Sequence, residues 1–532
     1  MPPAKIKETL LHSPTAKAWK KVGVRHHHGI DVSLAALRSK NTSGIGDFFT
    51  LIPLIKWCKK VGFDVIQLLP INDSGTDPSP YNSISSCALN TIYLSLSHLP
   101  YIETDAEFAA KLLELDPLNA SPHVLYLEVL NHKMNFLRHY VKKYEEKISG
   151  SKEYKKFFAD NATWLEPYIL FKALKDKMSG SNYLTWPKEL KTPTEEEYKE
   201  LLKEYKTETL FYSLLQFLSF DQLKKVKKIA SDNGVLLKGD IPILISPDSA
   251  DVWHYNELFN LELSAGAPPD VYNPDGQYWG FPLFNWTAIK KSDYAWWKNR
   301  LQYASNFYDI FRIDHVIGFF RLWAILLNSS PKNGKFVPSD ESLWGPLGKE
   351  ILSKLISFTS MLPIAEDLGP VPLVVRPILL ELGICTTKVM RWERLWEEDK
   401  SFIPINEYPP VSMTCISTHD SPTLAQWWVE FPEEAKAYAK TKNWDYTPVL
   451  TKEQRLEILF DSHHTSSLFH INLLQEYLNL CPELSWQDIA TERINLPGKV
   501  LSTNWTYRYR ATVEEITENT PLTQALSTIL SP

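Results

Sequence analysis

The stretch "YDIFRIDHVIGFF" (308–320) is mostly β-branched and aromatic, which is typical of a buried strand followed by a turn. Arg312, Asp314 and His315 lie in its middle, although burying an ionised carboxylate without a partner is very costly. Because alternate residues of a strand face the same side, Arg312 and Asp314 share one face and His315 takes the other. An Arg and an Asp on one face can form a plain buried ion pair, so the rest of the sequence has to decide whether they do more.

Six further runs are as continuously apolar as this stretch, the pattern of parallel strands that are covered on both faces. These runs are "GIDVSL" (29–34), "FDVIQLLP" (63–70), "VLLKGDIPILI" (235–245), "MLPIAEDL" (361–368), "TTKVMRW" (386–392) and "SMTCISTHD" (412–420). Helical patterns such as 47–62 and 209–234 separate them. This alternation predicts an α/β protein with a (β/α)8 TIM barrel, whose eighth strand we expect between about 455 and 505.

The block 104–207 has a helical, highly charged pattern and contains no strand-like run. Two pairs in it, Thr104 with Glu107 and Thr194 with Glu197, have the spacing of helix capping boxes. We therefore expect a helical subdomain inserted after the second strand of the barrel.

The remaining chain is assigned to the barrel. Residues 1–103 should hold the first two strands, and 208–532 the remaining strands and the C-terminal part. Within the latter, the Pro-rich segment 265–286 is expected to be a stiff loop that acts as a lid. No separate C-terminal β domain is expected.

The composition limits the classes of partner and the compartment. The 532 residues carry a formal net charge of −6, so no basic field for nucleic acid is present. The five cysteines are far apart and form no C-x-x-C motif, which fits a reducing cytoplasm. We find no signal-peptide core and no apolar run near the ~18 residues of a membrane helix. These features predict a cytoplasmic protein that binds neither nucleic acid nor a membrane.

Polar side chains recur at the ends of three predicted strands. "FRIDH" carries Asp314, "LPIAEDLG" carries Glu366 with Asp367, and "CISTHD" carries His419 with Asp420. In a (β/α)8 barrel the carboxyl ends of the strands form the floor of the active site, so three carboxylates should converge there. Converging like charges push pKa values apart and leave one protonated acid beside ionised neighbours.

Two chemistries fit such a cluster. The carboxylates and histidines could bind a divalent metal, or two carboxylates ~5–5.5 Å apart could perform retaining glycosyl transfer. The 18 Trp residues favour a sugar, since a flat ring suits stacking, and no H-x-H signature occurs at the three strand ends. "RHHHG" (25–29) is a minor metal candidate, because neighbouring histidines of a strand point to opposite faces.

The motifs at the three strand ends, together with others along the chain, resemble glycoside hydrolase family 77, the 4-α-glucanotransferases, also called amylomaltases or disproportionating enzymes. The motifs that match are "RIDH" (312–315), "AEDLG" (365–369), "THD" (418–420), "GIGDF" (44–48), "SPY" (79–81), "YLTWP" (183–187), "KGDIPI" (238–243), "DSADVW" (248–253), "APPD" (267–270), "GQYWG" (276–280) and "NLPG…NW" (495–505). The resemblance spans about residue 22 to 510. It implies transfer of α-1,4-glucan or glucosyl units from maltose or a malto-oligosaccharide to the 4-hydroxyl of glucose, glycogen or another glucan, without a cofactor or metal.

The resemblance also implies roles for single residues. Asp314 would be the nucleophile, Glu366 the general acid/base, and Asp420 the group that stabilises the transition state. Arg312 would keep Asp314 ionised by lowering the pKa of its carboxyl group. The residues implied in substrate binding are Tyr81, Asp270, Trp279, Arg312, His315, His419 and Asn504.

Some features differ from the common family pattern. The segments 265–286 and 311–323 are closer to the branch of the plant cytosolic disproportionating enzyme, but its starch-binding modules are not seen. The lid has Phe281 where W-G-N-P is usual, which leaves the donor length open. Three alternatives also stay open, namely an α-glucan hydrolase with the same carboxylates, a non-catalytic glucan-binding barrel and a metal-dependent barrel enzyme.

Overall fold

The computed structural model describes residues 4–269 and 274–531. The strands in these ranges are β1 His27–Val32, β2 Val65–Leu68, β3 Leu236–Ile241, β4 Phe259–Ala267, β5 Gln277–Phe284, β6 Ile310–Ile313, β7 Leu322–Leu326, β8 Lys335–Val337, β9 Leu362–Ala365, β10 Thr386–Val389, β11 Ser412–Cys415 and β12 Phe469–Leu473. The helices that precede β4 are α1 Ala4–His12, α2 Ala16–Val22, α3 Leu51–Val61, α4 Ala106–Leu113, α5 Tyr126–Ser149, α6 Lys152–Lys177, α7 Lys188–Lys191, α8 Glu195–Glu204, α9 Lys206–Asp232 and α10 Ala250–His254. The helices that follow β5 are α11 Trp286–Lys291, α12 Ala295–Ala304, α13 Trp344–Ser357, α14 Val375–Leu382, α15 Leu424–Glu430, α16 Pro432–Thr441, α17 Lys452–His463, α18 Leu474–Leu478, α19 Val513–Glu518 and α20 Thr520–Ile529.

Eight parallel strands form one sheet in the order β10-β11-β12-β1-β2-β3-β6-β9. The two ends of this sheet meet, because Ile364 and Cys385 form a parallel bridge and the Ala365 amide donates to the Cys385 carbonyl at 2.8 Å. The Thr387 hydroxyl also donates to the Ala365 carbonyl, at 2.9 Å. The predicted (β/α)8 barrel is therefore confirmed, and β12 is its eighth strand, inside the predicted window.

The amino-terminal end of the barrel is sealed. Trp19 of α2 is fully buried in one apolar cluster with Val65, Ile310 and Phe469, which lie at or near the starts of their strands. Its indole Nε1 donates to the Gly383 carbonyl at 2.8 Å, which attaches α2 to the barrel. Because this end is closed by packing, the carboxyl ends of the strands are the side on which a ligand can enter.

Helices α4 to α8 occupy the block between β2 and β3 that was predicted to be a helical insertion. The capping box of Thr194 and Glu197 is confirmed at the start of α8. The prediction for Thr104 is wrong, because α4 is capped by Asp105, whose side chain accepts from the Glu107 amide at 3.1 Å. The division into 1–103, 104–207 and 208–532 stays a prediction.

A second sheet, β5-β4-β7-β8, is antiparallel and lies outside the barrel order. It corrects the prediction that 265–286 is a loop throughout, because 265–267 belong to β4 and 277–284 to β5, and the two strands pair; residues 270–273 lie outside the described ranges. The pairing has two register shifts, between Asn260 and Ser264 and between Ser264 and Gly266, and Pro282 pairs opposite Ser264. Such β-bulges tolerate a proline that lacks an N–H donor, so proline here does not exclude a strand.

Along 4–269 and 274–531, none of the helices combines the length and the apolar character needed to cross a lipid bilayer. All five cysteines are buried and unpaired.

Candidate active site

A cleft of about 880 Å³ lies at the carboxyl ends of the barrel strands. This volume falls in the upper part of the ~300–1,000 Å³ range of ligand pockets, so the cleft has room for more than one sugar ring. The predicted site residues that line it are Tyr81, Trp279, Arg312, Asp314, His315, Glu366, His419 and Asp420. Asn504 is not among the lining residues, and Asp270 lies outside the described residues.

Arg312 on β6 is placed between two carboxylates. Its Nη1 donates to both oxygens of Asp240, at 3.0 and 2.8 Å, and lies 2.9 Å from Oδ1 of Asp314. Asp240 is on the neighbouring strand β3, directly opposite Arg312, and its side chain is fully buried. The Tyr81 hydroxyl donates to Asp240 Oδ2 at 2.6 Å. The Arg312 guanidinium therefore holds Asp240 and Asp314 in place, and Asp240 in turn holds the Tyr81 ring through its hydroxyl group.

From the sequence, two roles for Asp240 are equally open. "KGDIP" places this acid at the end of the third strand, as "FRIDH" does at the fourth, so that it either reaches the cleft or serves as a structural hydrogen-bonding residue. An isolated aspartate at a strand end does not show which cation it contacts, and the pairing of β3 with β6 supplies that information.

The pKa of Asp314 differs from the expectation. The pKa of Asp314 is raised to about 6: burial raises it most, Arg312 lowers it, and the negative charges of Asp240 and Glu366 also raise it. The expectation that Arg312 would keep this pKa low is therefore wrong in its net direction. The physical reason is that burial outweighs the opposing charge of Arg312, which Asp314 also shares with Asp240.

Glu366 follows β9 and is held by two backbone amides. Its Oε2 accepts from the His315 amide at 2.8 Å and its Oε1 from the Leu368 amide at 2.9 Å. Burial raises the pKa of Glu366, whereas Arg312 and these two hydrogen bonds lower it, and burial dominates. The carboxyl group is thus fixed in direction and has a raised pKa.

His315 does not follow the alternation of the strand. β6 ends at Ile313, and His315 has the left-handed conformation, φ 49° and ψ 54°. This conformation costs a residue other than glycine ~1–3 kcal/mol. It turns the His315 amide toward Glu366 and brings the ring into an edge-to-face contact with Trp279, with centroids 5.0 Å apart. His315 therefore lines the cleft, although the strand pattern predicted the opposite face.

Asp420 is ionised at neutral pH despite its burial. Burial opposes ionisation, but His419 and a 2.6 Å hydrogen bond from Asn495 Nδ2 lower the pKa of Asp420 to about 2. Burial also lowers the pKa of His419, but the charge of Asp420 outweighs it and the net pKa is raised. His419 Nε2 is 3.2 Å from Asp420 Oδ2, but among the described residues it has no acceptor in hydrogen-bond alignment. This buried N–H group can therefore donate a hydrogen bond to a ligand.

Three aromatic rings pack against one another beside Asp420. Tyr81 and His419 stack with centroids 5.1 Å apart, and Trp505 packs against them at 5.5 and 5.9 Å. Asn504, the neighbour of Trp505, donates from Nδ2 to the Lys499 carbonyl at 2.8 Å and so stabilises the loop that contains both residues. The "NLPG…NW" motif thus places Asn495 and Trp505 at the cleft, where the sequence analysis had chosen Asn504.

The histidines of "RHHHG" lie at the amino-terminal side of the barrel. His27 Nδ1 is 2.9 Å from Asp64 Oδ2, and His28 Nδ1 is 2.9 Å from His463 Nδ1. Across 4–269 and 274–531, no group of three or more His, Cys, Asp or Glu side chains has an arrangement that could hold a metal ion.

Comparison with known proteins agrees with this geometry. The family model described as 4-alpha-glucanotransferase, glycosyl hydrolase family 77, matches residues 32–513. The 4-alpha-glucanotransferase of Chlamydia pneumoniae is 48% identical over 506 residues, which are 95% of each chain. The 4-alpha-glucanotransferase DPE2 of Oryza sativa subsp. japonica is 33% identical over 325 residues, 58% of this chain and 34% of that protein.

A solved structure shows the same fold. The amylomaltase from Streptococcus agalactiae in complex with acarbose superposes with a TM-score of 0.81 at 24% identity, over 95% of this chain and 99% of that one. The motifs at the strand ends, the closed barrel and the family match over nearly the whole chain agree. The chain belongs to glycoside hydrolase family 77 and is a 4-α-glucanotransferase.

Proposed function

We propose that this protein transfers glucosyl or glucan segments between α-1,4-glucans by a retaining double displacement. The observation that carries the proposal is that Asp314, Glu366 and Asp420, from three different strands, line one cleft. Retaining enzymes need a carboxylate nucleophile and a second carboxyl group that first gives and then takes a proton. The contacts of the three acids support a different role for each of them.

Asp314 is the proposed nucleophile. Its side chain is 27% exposed to the cleft, while Oδ1 contacts Arg312, so the carboxylate is oriented and still accessible. The hydrogen bonds that Glu366 accepts come from the backbone amides of His315 and Leu368, whereas Asp314 contacts a guanidinium directly. Because the two acids repel each other when both are ionised, the acid beside the guanidinium ionises first and the proton stays on Glu366.

In the first step Asp314 attacks the anomeric carbon while the bond from that carbon to the 4-oxygen of the next ring breaks. Glu366 gives its proton to this oxygen, so the leaving glucan departs with a free 4-hydroxyl group and a β-glucosyl ester remains on Asp314. In the second step Glu366 takes the proton of an acceptor 4-hydroxyl, whose oxygen displaces Asp314. Two inversions restore the α-configuration.

Asp420 is proposed to stabilise the positive charge that develops on the donor ring. Its low pKa keeps it ionised throughout the working range, and Asn495 fixes one of its oxygens. A fixed negative charge in a cleft that excludes most water stabilises an oxocarbenium-like transition state, because neither solvent nor protein dipoles have to reorganise during the reaction. The Nε2 donor of His419, for which the described residues offer no aligned acceptor, is proposed to bind a donor hydroxyl.

A transferase must favour a sugar over water at the covalent intermediate. Aromatic side chains line the cleft around the acids, among them Tyr81, Trp279, Phe281 and Trp505. Trp279 is held by a hydrogen bond from its Nε1 to Gln277 Oε1 at 3.1 Å. Such walls exclude water, and an acceptor that stacks on them brings its hydroxyl group into position.

The proposed substrates are maltose, malto-oligosaccharides and glycogen or another α-glucan. The proposed compartment is the cytoplasm, since all five cysteines are buried and unpaired. That the protein binds neither nucleic acid nor a membrane stays a prediction.

Incubation with maltotriose alone is expected to yield glucose together with maltopentaose and longer oligomers. The reason is that the glucan on Asp314 passes to a second sugar and not to water. Chromatography of the products over time measures this. An α-glucan hydrolase would instead yield only glucose and maltose, and that outcome would contradict the transfer proposal.

The pH dependence of kcat/KM on maltotriose is expected to be bell-shaped. Asp314 must be ionised, and because burial raises its pKa to about 6, activity should fall as the pH drops through this value. Glu366 must be protonated, and since its pKa is raised, the loss at higher pH is displaced upward from the ordinary carboxyl range. Initial rates between pH 4 and 9 in buffers of constant ionic strength test this. Full activity at pH 4 would contradict the assignment of Asp314.

A further inference from the structure

The loop of residues 416–423, which joins β11 to α15 and carries Asp420, is tied to the next strand–helix unit of the barrel by one carboxyl group. The Oε1 atom of Glu476, on α18, accepts a hydrogen bond from the Ser417 hydroxyl at 2.5 Å. The same atom accepts from the Leu424 amide at 2.9 Å. Ser417 lies near the start of the loop and Leu424 directly follows its end. A single oxygen atom therefore joins the two ends of the loop.

A second side chain from the same unit holds the beginning of the loop. Asn472, on β12, accepts from the Ile416 amide through Oδ1 at 2.8 Å. Its Nδ2 donates to the Ser462 hydroxyl at 2.9 Å and to the Tyr477 hydroxyl at 3.0 Å, so this amide is fixed in turn. Asn472 thus anchors one end of the loop, whereas Glu476 connects that end to the other.

Glu476 is buried away from the substrate. Its side chain is 0% exposed, and it is not among the described residues that line the cleft. Burial raises the pKa of its carboxyl group, and the described residues offer no hydrogen-bond partner to Oε2. Burying such a group costs stability that an apolar side chain would not cost. What its contacts provide in return is the geometry of the loop.

Contacts inside the loop connect its ends to Asp420. The Thr418 amide donates to the Ser421 hydroxyl at 2.9 Å, and the Asp420 amide lies 3.3 Å from the Thr418 hydroxyl oxygen, to which it donates. From the other side, Asn495 donates to the Asp420 carboxylate and Arg493 to the Asp420 carbonyl. If the ends of the loop separate, the carboxylate shifts relative to the barrel, and a misplacement of ~1 Å can lower a rate by 10²-fold.

We propose that Glu476 is a positioning residue for the reaction, which closes the loop 416–423 and so holds Asp420 where it stabilises the transition state. This inference rests on the proposed function, because Glu476 acts through the role proposed for Asp420. Since that role is exerted in the transition state, loss of the Glu476 contacts should lower kcat much more than it changes KM.

Glu476→Leu is expected to lower kcat for maltotriose about 30-fold, with KM changed by less than about threefold. Glu476→Gln should keep kcat within about twofold of the wild type, because its amide oxygen can accept both hydrogen bonds and the raised pKa of Glu476 makes a neutral group a close mimic. Ser417→Ala removes one of the two donors with little change of volume and should lower kcat about threefold. This variant decides the matter if Glu476→Leu does not fold. Initial rates of glucose release provide the constants.

The same substitution in an Asp420→Asn background separates positioning from general damage to the fold. Because Glu476 acts through Asp420, Glu476→Leu should lower kcat by less than about threefold in this background. An equal loss of about 30-fold in both backgrounds would show that the two residues are independent and would overturn the proposal.

Asp309→Leu is the matched control for the loss of a buried carboxyl group. Asp309 precedes β6 at the amino-terminal end of the barrel, accepts from the Leu237 amide at 3.1 Å and pairs with Lys21 and Lys227. Its melting temperature should fall, whereas kcat at 25 °C should equal that of the wild type.

Three results would contradict the role of Glu476. These are wild-type kcat in both Glu476→Leu and Ser417→Ala, no recovery in Glu476→Gln, and a loss that appears in KM alone. If the wild type converts maltotriose only to glucose and maltose, the proposed transfer fails. The kcat ratios of the variants still test Glu476 in that case, because Asp420 would serve the first step of hydrolysis as well.

Discussion

Replacing Asp314 with Asn is expected to lower kcat for maltotriose disproportionation by a factor of about 10⁴ or more. The amide has the shape of the carboxylate but cannot form the ester on which both steps depend. Glucan binding should persist, because Tyr81, His419 and Trp505 keep their contacts with one another. Arg312 also keeps Asp240 as its partner, so no buried cation is left unpaired.

Initial rates of glucose release and titration calorimetry with maltoheptaose separate these two effects. Asp275→Asn is a suitable control, because Asp275 is 86% exposed and its carboxylate forms an ion pair with Lys332. Its activity should match that of the wild type. If Asp314→Asn kept more than about a tenth of the wild-type kcat, Asp314 could not be the nucleophile.

Glu366→Gln is expected to reduce kcat on maltotriose by about 10²- to 10⁴-fold, the usual contribution of general acid–base catalysis. The loss should depend on the leaving group. With maltotriosyl fluoride as the donor, fluoride leaves without a proton, so the glycosyl-enzyme forms and accumulates because no base activates the acceptor. Mass spectrometry of the intact protein would detect the added trisaccharide on Asp314.

Azide should restore turnover of Glu366→Gln, because this anion attacks the intermediate without giving up a proton. The product is expected to be the α-glycosyl azide, since two inversions have occurred. Asp314→Ala with the same donor and azide should yield the β-glycosyl azide by a single inversion. Proton NMR of the products distinguishes the anomers. The reverse pair of anomers would mean that the two carboxyl groups have exchanged roles.

Much of the architecture could be predicted because strand patterns are local. The seven apolar runs gave strands at the expected places, and β12 fell in the expected window. In a closed parallel barrel all carboxyl ends share one rim, so acids that end different strands must come together. Asp314, Glu366 and Asp420 were therefore predictable as one cluster from their positions in the strand pattern alone.

Strand periodicity gave the wrong expectation where a residue departs from regular backbone geometry, or where the outcome depends on pairing with a strand that is distant in the chain. Strand alternation alone places His315 on the far face, whereas the family resemblance implied that it binds substrate. The left-handed backbone at this position turns the His315 amide toward Glu366, and His315 lines the cleft. Pro282 and Gly266 favour a loop by local preference, yet β4 and β5 pair across their segment because register shifts accommodate both. Neither outcome follows from the residues next to these positions in the chain.

Strand periodicity specifies which side chains follow the strands, and hence which acids share the cleft. The charge states of these acids and the residues that hold them follow from the folded arrangement. Arg312 is shared between Asp240 and Asp314, and Asn495, which the sequence analysis did not choose, donates to Asp420. The reason is that periodicity acts between near neighbours of the chain, whereas a pKa depends on charges and burial contributed by strands that are far apart in sequence.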